Sequence, residues 1–163
     1  MIEVKIDSIQ VSLTSNDRVI ILKDINTEHY LPIWIGSYEA DAITIRLQNV
    51  QVARPLTHDL LNNVIAEMDG EVSHIVVCDL RNDTFYARIT VNLDGRQLKI
   101  DSRPSDAIAL AVRANVPIFV EENVMAQAGI TPETDVGEEV GTEELSAFRD
   151  FINTLDLDDL PIH

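Results

Sequence analysis

Apolar and polar positions alternate along the first part of the chain in the way that is typical of half-buried strands. Five apolar residues between Val4 and Leu13 largely alternate with polar ones, and a second apolar run covers residues 19–22. A third run, residues 31–35, contains Pro32, which favours an edge strand or a strand end because proline has no backbone N–H. The pattern predicts three successive strands.

Two segments with helical periodicity follow these strands. Gly36 and Ser37 open the first helix, and its apolar face is formed by Ala40, Ile43, Leu47 and Val50. Thr57 is suited to cap the second helix, and Asp59 lies in its first turn. Gly70 is expected to stop this helix. Its apolar stripe consists of Leu60, Leu61, Val64, Ile65 and Met68.

The second half of the chain repeats this order. Three strands are expected at residues 72–80, 85–93 and 97–100, and Asp94-Gly95 predicts a tight hairpin turn between the last two. Pro104 belongs in the first turn of a helix. The helix that follows, residues 107–114, is apolar nearly all round, which predicts a central and buried position.

Short matching segments indicate an internal duplication. Asp41-Ala42-Ile43 recurs as Asp106-Ala107-Ile108, each time at the start of the helix that follows a third strand. We therefore predict an α+β fold made of two pseudo-repeated β-β-β-α units, with a mixed or antiparallel sheet packed against helices. The domain is expected over residues 1–130, with halves at roughly 1–68 and 70–130. A pseudo-twofold axis would bring the two helix N-termini together.

The composition changes near Gly129. Residues 131–163 are expected to form an acidic linker and a short amphipathic helix. The apolar residues of this C-terminal helical tail are Leu145, Phe148, Ile152 and Leu155. The tail is interpreted either as a solubilising end or as a segment that docks on the domain or on a second subunit.

The charge of the chain limits how it can contact nucleic acid. The net charge is −16, and residues 121–163 contribute −11 of it, from twelve Asp or Glu and one Arg. Because a passive nucleic-acid binder needs a basic face, contact is expected only through a local arginine cluster or a bound divalent metal. The chain has one cysteine, and no signal peptide is recognised at its start. No apolar run approaches the roughly 18 residues that a membrane helix needs. We therefore predict a cytoplasmic protein without a membrane partner.

Candidate chemistry is concentrated at the strand-to-helix junction of residues 101–106. Asp101 and Asp106 are suited to hold Mg²⁺ or Mn²⁺, and Arg103 is suited to bind a phosphate. The structural alternative is that Asp106 stabilises the first helical turn, Ser102 caps the helix and Arg103 pairs with Asp101. Phosphate-binding glycine loops, His-Glu-x-x-His and Cys-x-x-Cys are absent from the sequence.

Two further segments carry candidate residues. Glu39 and Asp41 occupy the equivalent junction in the first half, where they either bind a metal or stabilise the first turn. Arg54 and Asp59 flank His58, which is interpreted as a general base or ligand, or as an ordinary surface histidine.

At these segments the chain resembles the bifunctional nuclease domain family. The matching features are Leu31–Gly36 with Glu39-Ala40, Arg54–Leu60, Phe85–Ala87 and Asp101–Leu110, and they cover roughly residues 1–130. The resemblance implies a dimeric α+β fold and, for some members, cleavage of both DNA and RNA.

Two hypotheses follow. The first is a homodimeric, metal-assisted nuclease without an organic cofactor, whose substrate is DNA or RNA. Its Mg²⁺ or Mn²⁺ ligands would be Glu39, Asp41, Asp101 and Asp106. Arg103 and Arg54 would hold the phosphate, and His58 or Asp59 would transfer a proton. The second is a non-catalytic dimeric module that binds a small anion or a protein partner.

Overall fold

A computed structural model describes residues 1–132 of the chain. The linker and the helical tail predicted for residues 131–163 therefore lie, apart from their first two residues, outside the described part. The strands are β1 (Ile2–Val11), β2 (Arg18–Asp24), β3 (Tyr30–Ile35), β4 (Glu71–Arg81), β5 (Thr84–Leu93), β6 (Arg96–Ser102) and β7 (Ile118–Val120). The helices are α1 (Ser37–Leu47), α2 (Thr57–Glu67), α3 (Pro104–Ala114) and α4 (Glu122–Ala128).

All the strands of residues 1–132 belong to one mixed sheet, in the order β3-β2-β1-β7-β4-β5-β6. The pairs are antiparallel except for β4 and β7, which are parallel. The sheet and the helices confirm the predicted α+β class. Pro32 lies on β3, which is an edge strand, as its missing N–H predicted.

The order of the strands is symmetric, as the predicted pair of three-strand units requires. β7 lies in the middle, β1-β2-β3 extends from it on one side, and β4-β5-β6 extends on the other. The two equivalent helices, α1 and α3, contact each other. At their N-termini, Nη2 of Arg103 lies 2.7 Å from Oε1 of Glu39, so the predicted meeting of the two helix starts is confirmed.

The hairpin turns follow from their sequences. Asp94 and Gly95 both have positive φ, 49° and 71°, as the two central residues of a type I′ turn require. Asn82 and Asp83 have φ of 49° and 59° and connect β4 to β5 in the same way. Gly, Asn and Asp tolerate this left-handed region better than other residues, which explains why these turns were visible in the sequence.

Helix α3 occupies the centre of the core. It begins with Pro104, whose missing N–H is not needed in a first helical turn, and ends before Asn115, which has φ of 57°. Eight of its eleven residues are buried. Among them Ile108 and Leu110 are fully enclosed, with Ile20, Leu31, Ile75 and Val120 in the same apolar core. The predicted central position is confirmed.

Helix α2 differs from its prediction in two ways. Thr57 is its first helical residue, and the preceding residue, Leu56, occupies the cap position. Most of the apolar stripe faces outward, because only Ile65 packs against the core while the other four are exposed: Leu60, Leu61, Val64 and Met68. Helical periodicity identifies an apolar face but not what covers it.

The segment after α3 contains two elements that the sequence pattern did not reveal, β7 and α4. β7 has three residues, Ile118–Val120, too few for a period of two to be recognised. It nevertheless joins the two halves of the sheet, since Ile118 pairs with Val4 of β1 and with Ile75 of β4. None of the helices in residues 1–132 is long and apolar enough to cross a membrane.

Candidate active site

Four predicted site residues form one connected group, which we call the polar cluster: Glu39, His58, Arg103 and Asp106. Arg103 donates from Nη2 to Oε1 of Glu39 at 2.7 Å and from Nε to Oδ2 of Asp106 at 2.9 Å. The other oxygen of Asp106, Oδ1, lies 2.8 Å from Nε2 of His58. Three helices therefore meet at a single carboxylate and its arginine.

The helix starts explain why charged groups gather at this place. Glu39 and Asp106 lie in the first turns of α1 and α3, and Arg103 is the cap residue of α3. Free backbone N–H groups give a helix N-terminus a partial positive charge, which stabilises a carboxylate there. The duplicated fold places two such ends side by side, so Arg103 can bridge the two carboxylates.

Asp106 is ionised at neutral pH. Burial alone would raise the pKa of its carboxyl, but the hydrogen bonds from His58 and Arg103 outweigh burial, and the pKa is lowered. The hydrogen bonds that Glu39 and Asp106 accept raise the pKa of the Arg103 guanidinium. The cluster thus holds two fixed negative charges and one fixed positive charge.

His58 is buried, with 8% of its surface exposed, rather than lying on the surface as the alternative interpretation assumed. Because its Nε2 faces an ionised carboxylate that can only accept, Nε2 carries the hydrogen. In neutral His58 the lone pair is then on Nδ1. A carboxylate that fixes the tautomer of a histidine is the arrangement that prepares an imidazole to accept a proton.

Arg103 keeps one end of its guanidinium open. Its Nε and Nη2 are used by Asp106 and Glu39, while Nη1 has no acceptor among residues 1–132. The side chain is 65% exposed. Its position is therefore fixed by two carboxylates while two N–H groups remain available for a ligand such as a phosphate.

Asp41 and Asp101 lie outside this network. Both are exposed, and neither makes a side-chain hydrogen bond or ion pair within residues 1–132. Arg103 therefore pairs with Asp106 and not with Asp101, and Ser102 donates its hydroxyl to the carbonyl of Arg103 instead of capping α3. The metal-binding role of Asp41 and Asp101 stays a prediction.

Asp59 points to a different neighbour from His58. Its Oδ1 accepts from Nε of Arg113 at 2.7 Å, and its Oδ2 accepts from the N–H of Leu56 at 2.8 Å. Burial would raise the pKa of Asp59, but these two donors outweigh it, and the pKa is lowered. Asp59 therefore caps α2 and anchors Arg113, while Arg54 lines a cavity beside that pair.

Arg113 was missed by reasoning from the sequence. Its side chain is 4% exposed, and it also donates to the carbonyls of Ala109 and Ala42, so it ties α3 to α1 and α2. The signal was present in the sequence, because Arg113 is the one basic residue of α3 and lies in its apolar second half. Such a charge is buried only where partners satisfy it.

The carboxylates of the polar cluster fit a divalent metal only in part. Among residues 1–132 no three His, Cys, Asp or Glu side chains converge as a preformed metal site. Oε1 of Glu39 and Oδ2 of Asp106 are nevertheless neighbours, since both lie within 2.8 Å of Nη2 of Arg103. A pair of carboxylates suits Mg²⁺ that receives its other ligands from water and substrate phosphate.

Comparison with known proteins identifies relatives over most of the chain. A family model described as the bifunctional nuclease domain matches residues 20–133. An uncharacterised protein of Mycobacterium tuberculosis (strain ATCC 25618 / H37Rv) is 40% identical over 161 residues, and the match covers 96% of each chain.

Plant proteins are more distant relatives. Bifunctional nuclease 1 of Oryza sativa subsp. japonica is 24% identical over 131 residues, which are 71% of this chain and 40% of the rice protein. Bifunctional nuclease 2 of Arabidopsis thaliana is 27% identical over 115 residues, which are 69% of this chain and 35% of that protein. The family match over residues 20–133 includes the positions of all four residues of the polar cluster.

Proposed function

The chain belongs to the bifunctional nuclease domain family, and we propose that it hydrolyses phosphodiester bonds of DNA and RNA at the polar cluster. The observation that carries the proposal is the contact of 2.8 Å between His58 and Asp106. It gives a histidine with a fixed tautomer beside an arginine whose Nη1 is open, which are the two groups that hydrolysis of a phosphate diester needs.

The roles follow from the atoms that remain free. Nδ1 of His58 accepts a proton from the water whose oxygen attacks the phosphorus, and the bond to the leaving oxygen breaks. The leaving oxygen takes a proton from solvent and departs as a hydroxyl. Asp106 stabilises the imidazolium that forms, and Arg103 stabilises the negative charge that develops on the phosphate oxygens. We assign the proton transfer to His58 rather than to Asp59, since both oxygens of Asp59 already accept hydrogen bonds.

Divalent metal is the second component of this proposal. Glu39 and Asp106 would hold Mg²⁺ or Mn²⁺, which would neutralise the phosphate and polarise it when bound. The charges of the cluster support this part of the proposal, since two carboxylates face one guanidinium. Asp41 and Asp101 would join only after a rearrangement that brings them to the other two carboxylates.

We also propose that two copies of the chain associate through α2. Its four outward apolar side chains, Leu60, Leu61, Val64 and Met68, are 56%, 36%, 44% and 63% exposed. A twofold dimer covers such a face with the same face of the partner. Light scattering of the full chain should give the mass of a dimer, and Val64→Lys should give a monomer. A wild-type monomer would contradict this part.

The test of activity uses single-stranded DNA, duplex DNA and RNA, with Mg²⁺, with Mn²⁺ and with a chelator. Wild type, Asp106→Asn and Glu67→Gln are prepared identically. Glu67 is an exposed acid at the end of α2 without a side-chain partner among residues 1–132, so its variant controls for charge and for contaminating nucleases. Cleavage that only Asp106→Asn loses supports the proposal, and equal cleavage by all three proteins contradicts it.

The binding module is the second candidate function. It is favoured by one observation, that both cluster carboxylates are already occupied by Arg103 and His58. Under this alternative no purified preparation cleaves nucleic acid with either metal, while an anion still binds to Arg103.

A further inference from the structure

A cavity of about 310 Å³ has none of the polar cluster residues in its lining. It is formed by the end of α1, the loop between α1 and α2, the start of α2 and the end of α3. Its volume is at the lower end of the range of about 300 to 1,000 Å³ that small-molecule sites occupy. Asp59, which lines the cavity, directly follows His58 of the polar cluster in the sequence of α2.

Three arginines line this cavity, which we call the arginine cavity: Arg46, Arg54 and Arg113. Asp59 is its one acidic lining residue, and this carboxylate is already paired with Arg113 at 2.7 Å. Arg46 and Arg54 are exposed, and neither has a side-chain hydrogen bond or an ion pair within residues 1–132. Two uncompensated positive charges therefore face one small cavity in a chain with a net charge of −16.

Arg113, the buried one of the three arginines, is held in a fixed position. Arg113 uses three of its five N–H donors, on Asp59 and on the carbonyls of Ala109 and Ala42. Its side chain is 96% buried, so it keeps a guanidinium at the cavity wall without freedom to move. A rigid arginine with two exposed arginines beside it is suited to bind the oxygens of a phosphate.

The remaining wall is not charged. Asn49, Gln51 and Asn63 offer amide donors and acceptors, and Val50, Val52 and Pro55 offer apolar surface. Amides read the hydrogen-bonding edge of a base, and apolar side chains cover its faces. A phosphate alone would use only the arginines, whereas a nucleotide would use both parts of the wall.

We propose that the arginine cavity binds one nucleoside monophosphate unit, with its phosphate on Arg46, Arg54 and Arg113 and its base against the amides and the apolar wall. The unit is either a free mononucleotide or one nucleotide of a single strand that continues toward the polar cluster. This site is separate from the proposed cleavage and does not require it.

The experiment is calorimetric titration of the full chain with adenosine 5′-monophosphate, inorganic phosphate and adenosine, in the presence of a chelator. The proteins are wild type, Arg46→Ala/Arg54→Ala and Arg96→Ala. Arg96 is an exposed arginine of β6 outside the cavity, so its variant controls for loss of positive charge. The double variant should bind the mononucleotide at least about tenfold more weakly, since hydrogen bonds to charged groups are lost, while Arg96→Ala should match wild type.

Several outcomes would overturn the proposal. The first is that the mononucleotide does not bind at millimolar concentration. The second is that wild type and the double variant bind the mononucleotide equally well. The third is that phosphate and the mononucleotide bind with equal affinity. A short single-stranded oligonucleotide distinguishes a free mononucleotide from one nucleotide of a strand as the ligand. If the cavity binds a strand, the added oligonucleotide displaces the mononucleotide, and otherwise it does not. Binding is measured in the presence of a chelator and does not depend on cleavage, so a failed nuclease assay leaves this test intact.

Discussion

Nε2 of His58 lies 2.8 Å from Oδ1 of Asp106, although 48 residues separate them in the sequence. The next residue, Asp59, contacts Arg113 near the other end of the same helix, α3. Two adjacent side chains of α2 therefore reach a first-turn carboxylate and a last-turn cation. This crossing of α2 over α3 separates the polar cluster from the arginine cavity.

His58→Gln should lower the kcat for cleavage of single-stranded DNA by at least about 100-fold, because general base catalysis contributes a factor of about 10² to 10⁴. Glutamine retains a donor to Asp106 but cannot accept the proton. His29→Gln is the matched control, since His29 is exposed on the turn between β2 and β3. Cleavage by both variants at the wild-type rate would show that His58 is not the general base.

Arg103→Lys should raise KM for the nucleic acid and also lower kcat, since Arg103 is proposed to bind the phosphate and to stabilise the charge that develops on its oxygens. A lysine has one nitrogen, so it cannot contact Glu39 and Asp106 as the guanidinium does and still present an open end to the phosphate. We expect a loss of about tenfold in kcat/KM. Steady-state kinetics at fixed salt measures this, with Arg96→Lys as the control, and an unchanged KM would argue against phosphate binding by Arg103.

Arg113→Met should destabilise the fold by about 3 kcal/mol, since it removes one partner of a largely buried ion pair and leaves two carbonyls without their donor. Urea unfolding followed by circular dichroism measures the free energy of unfolding. Arg96→Met, at an exposed position, should change it by less than about 0.5 kcal/mol. Similar values for the two variants would show that the Arg113 contacts are energetically minor.

Asp24 should make stability depend on pH below neutrality. The N–H of Asn26 donates to Asp24 and lowers the pKa of this buried carboxyl from its usual 3.8, with Thr27 adding a second bond. Its contribution is therefore fully present above pH 3.8 and is lost as the pH falls through the lower pKa of the folded state.

The matched variant for this prediction is Asp24→Asn, which keeps the acceptor for Asn26 but not the charge. At neutral pH it should be less stable than wild type by about 1 kcal/mol. The difference in free energy of unfolding should shrink as the pH is lowered below 3.8. A difference that stays constant from pH 7 to pH 2.5 would rule out titration of Asp24 as its source.

The sequence by itself determined the features that depend on neighbouring residues. The turn at Asp94-Gly95, the start of α3 at Pro104 and its burial, and the β-β-β-α repeat all followed from short-range patterns. Such patterns are readable because each turn or helix start imposes its own backbone and solvent requirements. The grouping of candidate residues near the helix starts was visible for the same reason.

Tertiary structure alone decided which of those candidates meet. It joined Glu39, His58, Arg103 and Asp106, and it left Asp41 and Asp101 exposed without side-chain partners among residues 1–132, although these two acids belong to the same strand-to-helix segments. It also placed a three-residue strand, β7, at the middle of the sheet. The physical reason is that these contacts depend on how distant helices and strands pack, and packing direction is not encoded in the spacing of any single segment.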